Sequence, residues 1–374
     1  MRVNNIQCSR SKIAVLCKRI DVMKVCRIFL FGFILILSCS FSQAQVSSHL
    51  DWSKLPRRCA SCHVGHGVPG TVMLPAAEEQ FCFQCHGDFI ETEKAIRTNR
   101  LSGTAKITNI RREFQKQSRH PVELTAERTQ SYLAQRGQVF NTARAECLDC
   151  HRGHGVSHTS YSPGASPKRS TKDEREYEYQ LCYRCHSQVN QLSFAQKDIK
   201  VWFETVNPSY HPIEASGKNS DVPSLKEPYN ISSIINCTDC HNNSDLNGPR
   251  GPHGSNYEYI LERNYNKNDF ISESPQQYEL CYKCHKRESI LGDESFPYHS
   301  LHVVNGRTSC YTCHSSHGSQ VNTHLIRYNE EIDPFRIQAS SSGRLEFIDM
   351  GRFSGQCFLR CHGVDHNPKS YSRN

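Results

Sequence analysis

Polar residues dominate the chain, and its apolar positions occur in short, separated runs. The longest run is Ile28–Leu37, ten residues, which is shorter than the roughly 18 apolar residues that a membrane-spanning helix needs. Periodic apolar spacing predicts short helices over 76–86, 122–136, 173–186, 188–203 and 274–285. Alternating positions in Leu325–Tyr328, Phe335–Ile337 and Leu345–Met350 predict a small β element. Ser157–Ser170 and Asp221–Pro228 are rich in turn-forming residues and predict exposed loops or linkers.

The first 44 residues have the form of a secretory signal peptide. Basic residues precede the apolar run, and Ser42-Gln43-Ala44 then offers a small-x-small cleavage site. A membrane anchor is the alternative, and Cys39 lies in a poor match to a lipoprotein signal. The segment holds seven of the 45 basic residues and one of the 37 acidic ones, so its removal lowers the net charge from +8 to +2. The remaining chain therefore has no basic excess that would indicate nucleic-acid binding.

Cysteine and histidine are the unusual part of the composition, with 20 residues of each among 374. Only 37% of the residues are hydrophobic, which leaves too little aliphatic mass for an ordinary core along the whole chain. The sixteen cysteines after residue 44 fall into eight close pairs, and a histidine follows every pair. The pairs are Cys59/Cys62, Cys82/Cys85, Cys147/Cys150, Cys182/Cys185, Cys237/Cys240, Cys281/Cys284, Cys310/Cys313 and Cys357/Cys361. The histidines that follow them are His63, His86, His151, His186, His241, His285, His314 and His362.

Seven of these motifs read C-x-x-C-H, the attachment signature of c-type haem. Two thiols on one turn can reach the two vinyl groups of one macrocycle, and the next residue supplies the proximal imidazole to the iron. The eighth motif, Cys357 to His362, has one extra residue between its cysteines. Zinc sites, thioredoxin-like pairs and disulfides also use close cysteines, but none requires a histidine after each pair. The sequence therefore predicts eight covalently attached c-type haems.

The motifs come in four couples, each of two successive motifs. A His-Gly element follows the first motif of each couple, and a further histidine precedes each couple. The histidines of the His-Gly elements, here called His-Gly histidines, are His66, His154, His253 and His317. The upstream histidines are His49, His120, His211 and His299. An acidic, aromatic stretch leads into the second motifs of the first three couples, as in EEQFCFQCH.

This pattern resembles the doubled C-x-x-C-H multihaem cytochromes over about residues 45–367. The resemblance rests on the C-H-x-x-H-G element, the Leu/Phe-Cys-x-x-Cys-His second motif and the upstream histidine. It implies a secreted electron carrier of metal-reducing or related bacteria, in which loops and short α-helices wrap a closely packed haem stack with little β-structure. The insertion before His253 and the longer Cys357–His362 motif depart from the family pattern. The predicted organisation is a signal peptide at 1–44 and haem pairs at 45–118, 119–209, 210–297 and 298–374.

The recurring positions make the four His-Gly and the four upstream histidines the expected distal iron ligands. Methionine ligation cannot be general, because only Met73 and Met350 follow the signal segment. The remaining histidines, His158, His302, His324 and His366, are expected to be ordinary packing or surface residues. His299 is preferred over His302 as the distal ligand of the fourth couple, because it aligns with His120 and His211.

Two imidazoles on each iron leave no position for a substrate, so the sequence favours low-potential electron transfer over catalysis. The alternatives are an octahaem oxidoreductase acting on a small nitrogen or sulfur substrate at one five-coordinate haem, and a subunit of a haem-conducting filament or outer-membrane conduit. Multihaem nitrite reductases typically carry lysine in place of one proximal histidine, and no C-x-x-C-K occurs here. The expected partners are other redox proteins: quinol-linked or periplasmic cytochromes and an outer-membrane conduit. The expected location is the periplasm, with the outer membrane or cell surface as alternatives and membrane association through a complex or lipid anchor.

Overall fold

The computed structural model describes residues 48–69, 71, 73–122, 145–154, 176–187, 198–328 and 337–373. The chain divides into two units, Met1–Gln45 and Val46–Asn374, and every described residue belongs to the second. The predicted signal segment, His158 and the predicted loop Ser157–Ser170 lie outside the described residues. So do almost all of the predicted helix 122–136, most of 188–203 and the beginning of 173–186.

Loops make up most of the described chain, and the helices in it are short. The α-helices are α1 (Glu78–His86), α2 (Phe89–Arg97), α3 (Cys147–Cys150), α4 (Glu178–His186), α5 (Lys200–Phe203), α6 (Cys237–Cys240), α7 (Glu279–Tyr282), α8 (Arg287–Leu291) and α9 (Cys310–Cys313). One π-helical turn spans Ser300–Asn305. Short 3₁₀ turns lie at Ser48–Leu50, Arg58–Ser61, Arg111–Gln115 and Glu258–Ile260.

The acidic stretches before the second motifs do form helices. α1 and α4 each begin at a glutamate and end at the motif histidine, which confirms the helices predicted over 76–86 and in the described part of 173–186. The helix predicted over 274–285 is reduced to the four residues of α7. Asp88 and Glu91 form a reciprocal cap at the beginning of α2, each side chain accepting from the other residue's backbone N–H at 3.0 Å.

Two pairs of very short strands join parts of the chain that are far apart in sequence. β1 (Ser118–Arg119) pairs antiparallel with β3 (Gly254–Ser255), and β2 (Ser209–Tyr210) pairs antiparallel with β4 (Gly318–Ser319). A Cβ on Gly254 would overlap the carbonyl oxygen of Glu113, and one on Gly318 would overlap that of Trp202. The glycine of the His-Gly element is therefore required at these two positions because another backbone segment passes directly against it.

The largest β element lies at the C-terminal end. Its strands are β5 (Ile337–Gln338), β6 (Glu346–Asp349), β7 (Ser354–Cys361) and β8 (Val364–Ser372). β7 pairs with β5, β6 and β8, all antiparallel. β6 confirms the strand predicted over Leu345–Met350. The prediction for Leu325–Tyr328 is wrong, because this segment forms only an isolated bridge at Ile326, and Phe335–Ile337 lies mostly outside the described residues. The β7–β8 hairpin was not predicted, because Cys357–His362 was interpreted as a haem motif.

No single hydrophobic core fills the described structure. The buried apolar residues form four small clusters of three to five members, and cysteines of the motifs pack against each of them. The largest lies on the C-terminal sheet and comprises Ile326, Tyr328, Ile337, Phe347 and Leu359. The thin aliphatic packing expected from the composition is therefore present, and the apolar surface that exists is arranged around the cysteine motifs.

Candidate functional site: a row of cysteine–histidine motifs

First motifs and second motifs occupy different kinds of helix. In couples two, three and four the first motif is itself a single turn, as in α3, which begins at Cys147 and ends at Cys150. The first motif of couple one lies on the 3₁₀ turn Arg58–Ser61. Both geometries bring the two thiols of a C-x-x-C pair to one turn of backbone, as thioether attachment to one macrocycle requires.

The eighth motif has a different backbone. Cys357 and Cys361 lie four residues apart on β7, so their Cα atoms are about 13 Å apart at the rise of an extended strand. His362 and Gly363 form the two-residue turn between β7 and β8, with φ values of 48° and 79°. Positive φ at both turn residues is typical of the tight hairpin turns that match strand twist.

Thiols of successive couples contact each other through the first cysteine of each motif. Cys82 is hydrogen-bonded to Cys147, and this contact, followed by burial, raises the pKa of Cys82. Cys237 is hydrogen-bonded to Cys182, and this contact, followed by burial, raises the pKa of Cys237. Between couples three and four, burial raises the pKa of Cys281 and the neighbouring Cys310 adds to the shift. The second motif of each couple therefore adjoins the first motif of the next.

Within a couple the second cysteines of the two motifs are the neighbours. Burial raises the pKa of the Cys85 thiol, with a smaller contribution from Cys62. Burial raises the pKa of Cys240 to about 12, and Cys284 adds to the shift against the opposing effect of Lys283. In couple two the neighbour of Cys185 is Asp149, which belongs to the first motif. Burial is the largest cause of the raised pKa of Cys185, and Asp149 is the second largest. In couple four, burial raises the pKa of Cys313 and Cys361 of the eighth motif is the next contributor. Each motif thus has the next motif in the chain as a neighbour.

Glutamates at the beginning of α1 and α4 hold the couples together. The Leu148 backbone N–H, near the beginning of α3, donates to the Glu78 carboxylate. At the equivalent place in the next couple, Thr238 donates to Glu178 from its backbone N–H and from its hydroxyl, each at 2.9 Å. A carboxylate is favoured at the amino end of a helical turn, where N–H groups are unpartnered. The acidic residue ahead of the second motif therefore attaches that helix to the following couple.

The histidines meet in pairs. Six pairs combine a motif histidine with an upstream or His-Gly histidine at ring-centroid distances of 5.9–6.4 Å. They are His63–His154, His86–His49, His151–His253, His186–His120, His241–His317 and His314–His299. A seventh motif histidine, His285, has the upstream histidine His211 as an electrostatic neighbour. Burial is the largest cause that lowers the pKa of His285 to about 4, and His211 is the second largest.

These distances fit an iron atom between two imidazoles. A metal–imidazole bond is about 2 Å long, and the ring centroid lies roughly 1.2 Å behind the ligating nitrogen. Two imidazoles on opposite sides of one iron therefore have centroids roughly 6.4 Å apart. The residues present thus fit haem iron with two histidine ligands. In contrast, no cluster of three or more His, Cys, Asp or Glu side chains able to hold a metal ion occurs in the described parts of the chain.

Hydrogen bonds fix which ring nitrogen remains for a metal. Nδ1 of His49 lies 2.7 Å from the Gly153 carbonyl oxygen, Nδ1 of His120 lies 2.7 Å from that of Pro252, and Nδ1 of His211 lies 2.7 Å from that of Ser316. A ring N–H donating to a carbonyl places the proton on Nδ1 and leaves Nε2 as the free lone pair. Each accepting carbonyl belongs to the residue immediately before a His-Gly histidine of the following couple.

The same repeat explains how the couples interlock. The upstream histidines His49 and His120 lie opposite the second motif histidine of their own couple, and His211 contributes to the lowered pKa of the corresponding histidine, His285, after burial. The three later His-Gly histidines instead lie opposite the first motif histidine of the preceding couple, as His154 does with His63. The β1–β3 and β2–β4 pairs bring these segments together, and the His211 N–H donates to the His317 carbonyl at 2.8 Å.

Burial keeps these imidazoles in the neutral form that ligates metal. It is the largest cause of the lowered pKa of His86, His186 and His314, and it lowers the pKa of His253 to about 4 and that of His299 to about 3. Nδ1 of His63, His253 and His299 is buried and has no hydrogen-bond partner. Burial therefore favours the neutral, metal-ligating form of His86, His186, His253, His299 and His314.

Two of the predicted ligand residues stand outside this scheme. His66, the His-Gly histidine of the first couple, is exposed. His362 of the eighth motif lies against Phe270 with ring centroids 4.6 Å apart. Neither has an imidazole neighbour among the residues that the structure describes. A further pair, His302–His366, has ring centroids 6.3 Å apart, and sequence reasoning missed it because neither residue recurs in the repeat.

Comparison with known families agrees with the motif pattern. Residues 142–325 match the family described as outer membrane cytochrome MtrC/MtrF-like, domains II/IV. Residues 55–91 match the family of the doubled CXXCH motif. No curated protein and no solved structure is similar enough to match the chain. Over the described residues, no helix is both long and apolar enough to cross a membrane.

Proposed function

We propose that the chain, a multihaem c-type cytochrome, carries electrons along a row of eight covalently attached haems, each with two histidine ligands on its iron. The observation that carries this proposal is the set of imidazole pairs at 5.9–6.4 Å, each containing one motif histidine. Haem supplies the redox-active iron. The protein supplies thiols for attachment and two neutral imidazoles that close both axial positions.

The ligand sets follow from the pairs. The proposed distal ligand is His154 for the first haem, His49 for the second, His253 for the third, His120 for the fourth, His317 for the fifth, His211 for the sixth and His299 for the seventh. Met73 and Met350, which are 52% and 59% exposed, are the two methionines that follow the signal segment, so methionine ligation cannot be general. Histidine in place of methionine as the second ligand favours low reduction potentials.

The order of the motifs supports transfer along the row. Contacts between neighbouring motifs alternate between second cysteines within a couple and first cysteines between couples. Each attachment site therefore adjoins the next, and electrons entering at one end can reach the other by short steps. The ends of the row are where partner proteins would dock.

The family descriptions support an activity outside the cytoplasm. Because one matched family consists of outer membrane cytochromes, we place the protein's partners in an outer-membrane electron conduit, reached after export by the signal segment 1–44. Small, transient interfaces steered by charge are expected for such exchange. Location at the outer membrane or cell surface is therefore preferred over a freely diffusing periplasmic carrier.

The mature, haem-loaded protein should exchange electrons without acting on small substrates. Reduced protein should be oxidised rapidly by soluble outer-sphere acceptors, because its haem edges need only approach them. Nitrite, hydroxylamine and tetrathionate should not turn over above the rate of free haem peptide, because no iron has an open position. Stopped-flow spectra and product analysis measure both. Substrate-specific turnover accompanied by a high-spin haem signal would overturn the proposal in favour of the enzyme alternative.

A further inference from the structure

An arginine joins the two motifs of the first couple. Arg100 lies just after α2, and its Nε–H donates to the Ser61 carbonyl oxygen at 2.8 Å, while its Nη1 donates to the side-chain oxygen of Gln84. Ser61 belongs to the first motif of the couple and Gln84 to the second. The guanidinium also lies over the Phe81 ring at 4.9 Å. One positively charged side chain therefore contacts both attachment turns.

No carboxylate neutralises Arg100 within the described part of the chain. Its Nε and Nη1 meet a backbone carbonyl and a side-chain amide, and its Nη2 is buried and has no hydrogen-bond partner. Burial raises the pKa of Cys62 and of Cys85, and Arg100, the second largest influence on each thiol, opposes that rise. An unbalanced positive charge, partly shielded from water, thus lies beside the second cysteine of each motif.

The third couple has a cation at the equivalent place, but there it is neutralised. Lys283 lies within the second motif of that couple, and its Nζ donates at 2.6 Å to the carbonyl oxygen of Asp239, which corresponds to Ser61 in the first couple. The same Nζ donates to Glu262, which is 3% exposed and also pairs with Arg250 at 2.6 Å. Burial opposes the ionisation of Glu262, but the hydrogen bonds from Lys283 and Arg250 prevail and lower its pKa. The two couples share a geometry and differ in whether a buried carboxylate balances the cation.

The second couple also lacks an unbalanced cation at this place. Arg184 occupies the position of Gln84 in the second motif, and it donates from Nε and from Nη2 to the two carboxylate oxygens of Glu176, each at 2.9 Å. The charged neighbour that ranks directly after burial at Cys185 is a carboxylate, that of Asp149. The first couple therefore differs in local charge from both the second and the third.

A positive charge near a haem favours the reduced iron. Reduction adds one negative charge to the haem, and a cation in a poorly solvated place attracts that charge more strongly than one in water. Burial and the local dielectric are among the means by which a protein sets a haem potential. The charge of the surrounding regions runs in the same direction. Residues 45–118 carry ten basic and seven acidic side chains, whereas residues 210–297 carry eight basic and thirteen acidic ones.

We propose that Arg100 raises the reduction potentials of the first and second haems, so that electrons taken up by the oxidised protein reside on the first haem pair in preference to the third. The inference rests on the proposed row of haems and adds a residue that sets how electrons distribute along it. Arg100 acts through its charge and its position between the two motifs, and it ligates no iron. In the third couple Glu262 cancels the corresponding effect of Lys283.

Charge variants of the haem-loaded protein test this assignment. Arg100→Gln should lower two haem potentials, by on the order of tenfold in the ferrous-to-ferric ratio at a fixed applied potential, whereas Arg100→Lys keeps the charge and should leave them nearly unchanged. Glu262→Gln should raise the potentials of the fifth and sixth haems, because Lys283 and Arg250 lose their counter-charge. Arg97→Gln is the matched control. It removes one positive charge from the same region, but the Arg97 side chain is 79% exposed, where water and salt screen it.

Redox titration followed by nuclear magnetic resonance resolves individual haems, and electron paramagnetic resonance checks that all of them stay low spin. A downward shift of the first two haems in Arg100→Gln, absent from Arg100→Lys and Arg97→Gln, supports the inference. Equal shifts in the two Arg100 variants, a shift spread over the whole row, or no shift overturns it. If Arg100→Gln loses haem, unchanged potentials of the fifth and sixth haems in Glu262→Gln overturn it instead. A high-spin haem in the parent protein would contradict the proposed function, so the two failures are distinguishable.

Discussion

Without haem attachment, the chain from residue 45 onward should fail to fold. Each of the four apolar clusters has only three to five buried members, and each is packed against motif cysteines. Burying one large apolar side chain contributes about 1.5–3 kcal/mol. Ordering the backbone of one residue costs about 1–2 kcal/mol, and loops dominate the structure. Haem faces must therefore supply the missing apolar contacts, as metals do in small metal-dependent domains.

Expression in the cytoplasm, where the attachment machinery is absent, should yield chain that is degraded or rapidly proteolysed and lacks a cooperative thermal transition. A variant that loses only the eighth attachment site, Cys357→Ser with Cys361→Ser, is the control. It should remain folded when matured, because the largest cluster belongs to the sheet of β5–β8 and includes five buried residues. A compact, protease-resistant haem-free protein would contradict the expectation.

Replacing His154 by alanine should remove one iron ligand from the first haem, whose motif histidine is His63 in the preceding couple. The third haem, whose motif histidine is His151, should keep both of its ligands. His154 lies opposite His63 at 6.0 Å, although it follows His151 by three residues in the chain. The variant should therefore show one high-spin haem. His154→Met should keep that haem low spin and raise its reduction potential, since a thioether ligand favours the reduced iron.

A second change identifies the haem that His154 serves. With Cys59→Ser and Cys62→Ser in the same chain, the first haem is absent and the high-spin signal of His154→Ala should disappear. With Cys147→Ser and Cys150→Ser instead, seven haems should remain and one of them should still be high spin. His66→Ala, at the equivalent position of the first couple, is the control and should leave every haem low spin, because His66 has no imidazole neighbour in the described part of the chain. A signal that disappears with the third haem would refute the interlocked arrangement.

Local features of the fold follow from the sequence, whereas the pairing of the histidines does not. The EEQFCFQCH stretch predicts α1 because acidic residues at a helix beginning and periodic aromatic positions are local signals. Which imidazole faces His151 depends on contacts about a hundred residues away, made by β1 with β3 and by Pro252 with His120. Repetition nominated His253 as a ligand, but only the folded chain shows that it lies opposite a different couple.

The fourth couple shows where repetition misleads. Alignment on the upstream segments favoured His299 over His302, on the assumption that only one of them is a distal ligand. In the structure each of the two has an imidazole neighbour. The extended backbone at Cys357–Cys361 results from strand pairing with β5, β6 and β8, which the cysteine spacing alone does not reveal.

The central claim is that every iron in the row has two imidazole ligands. The most direct measurement combines the intact mass of the secreted, oxidised protein with near-infrared magnetic circular dichroism and electron paramagnetic resonance. The account predicts eight haem additions, a near-infrared band typical of bis-histidine ferric haem and no high-spin signal. A stoichiometric high-spin haem, or a haem with a methionine ligand, would contradict it.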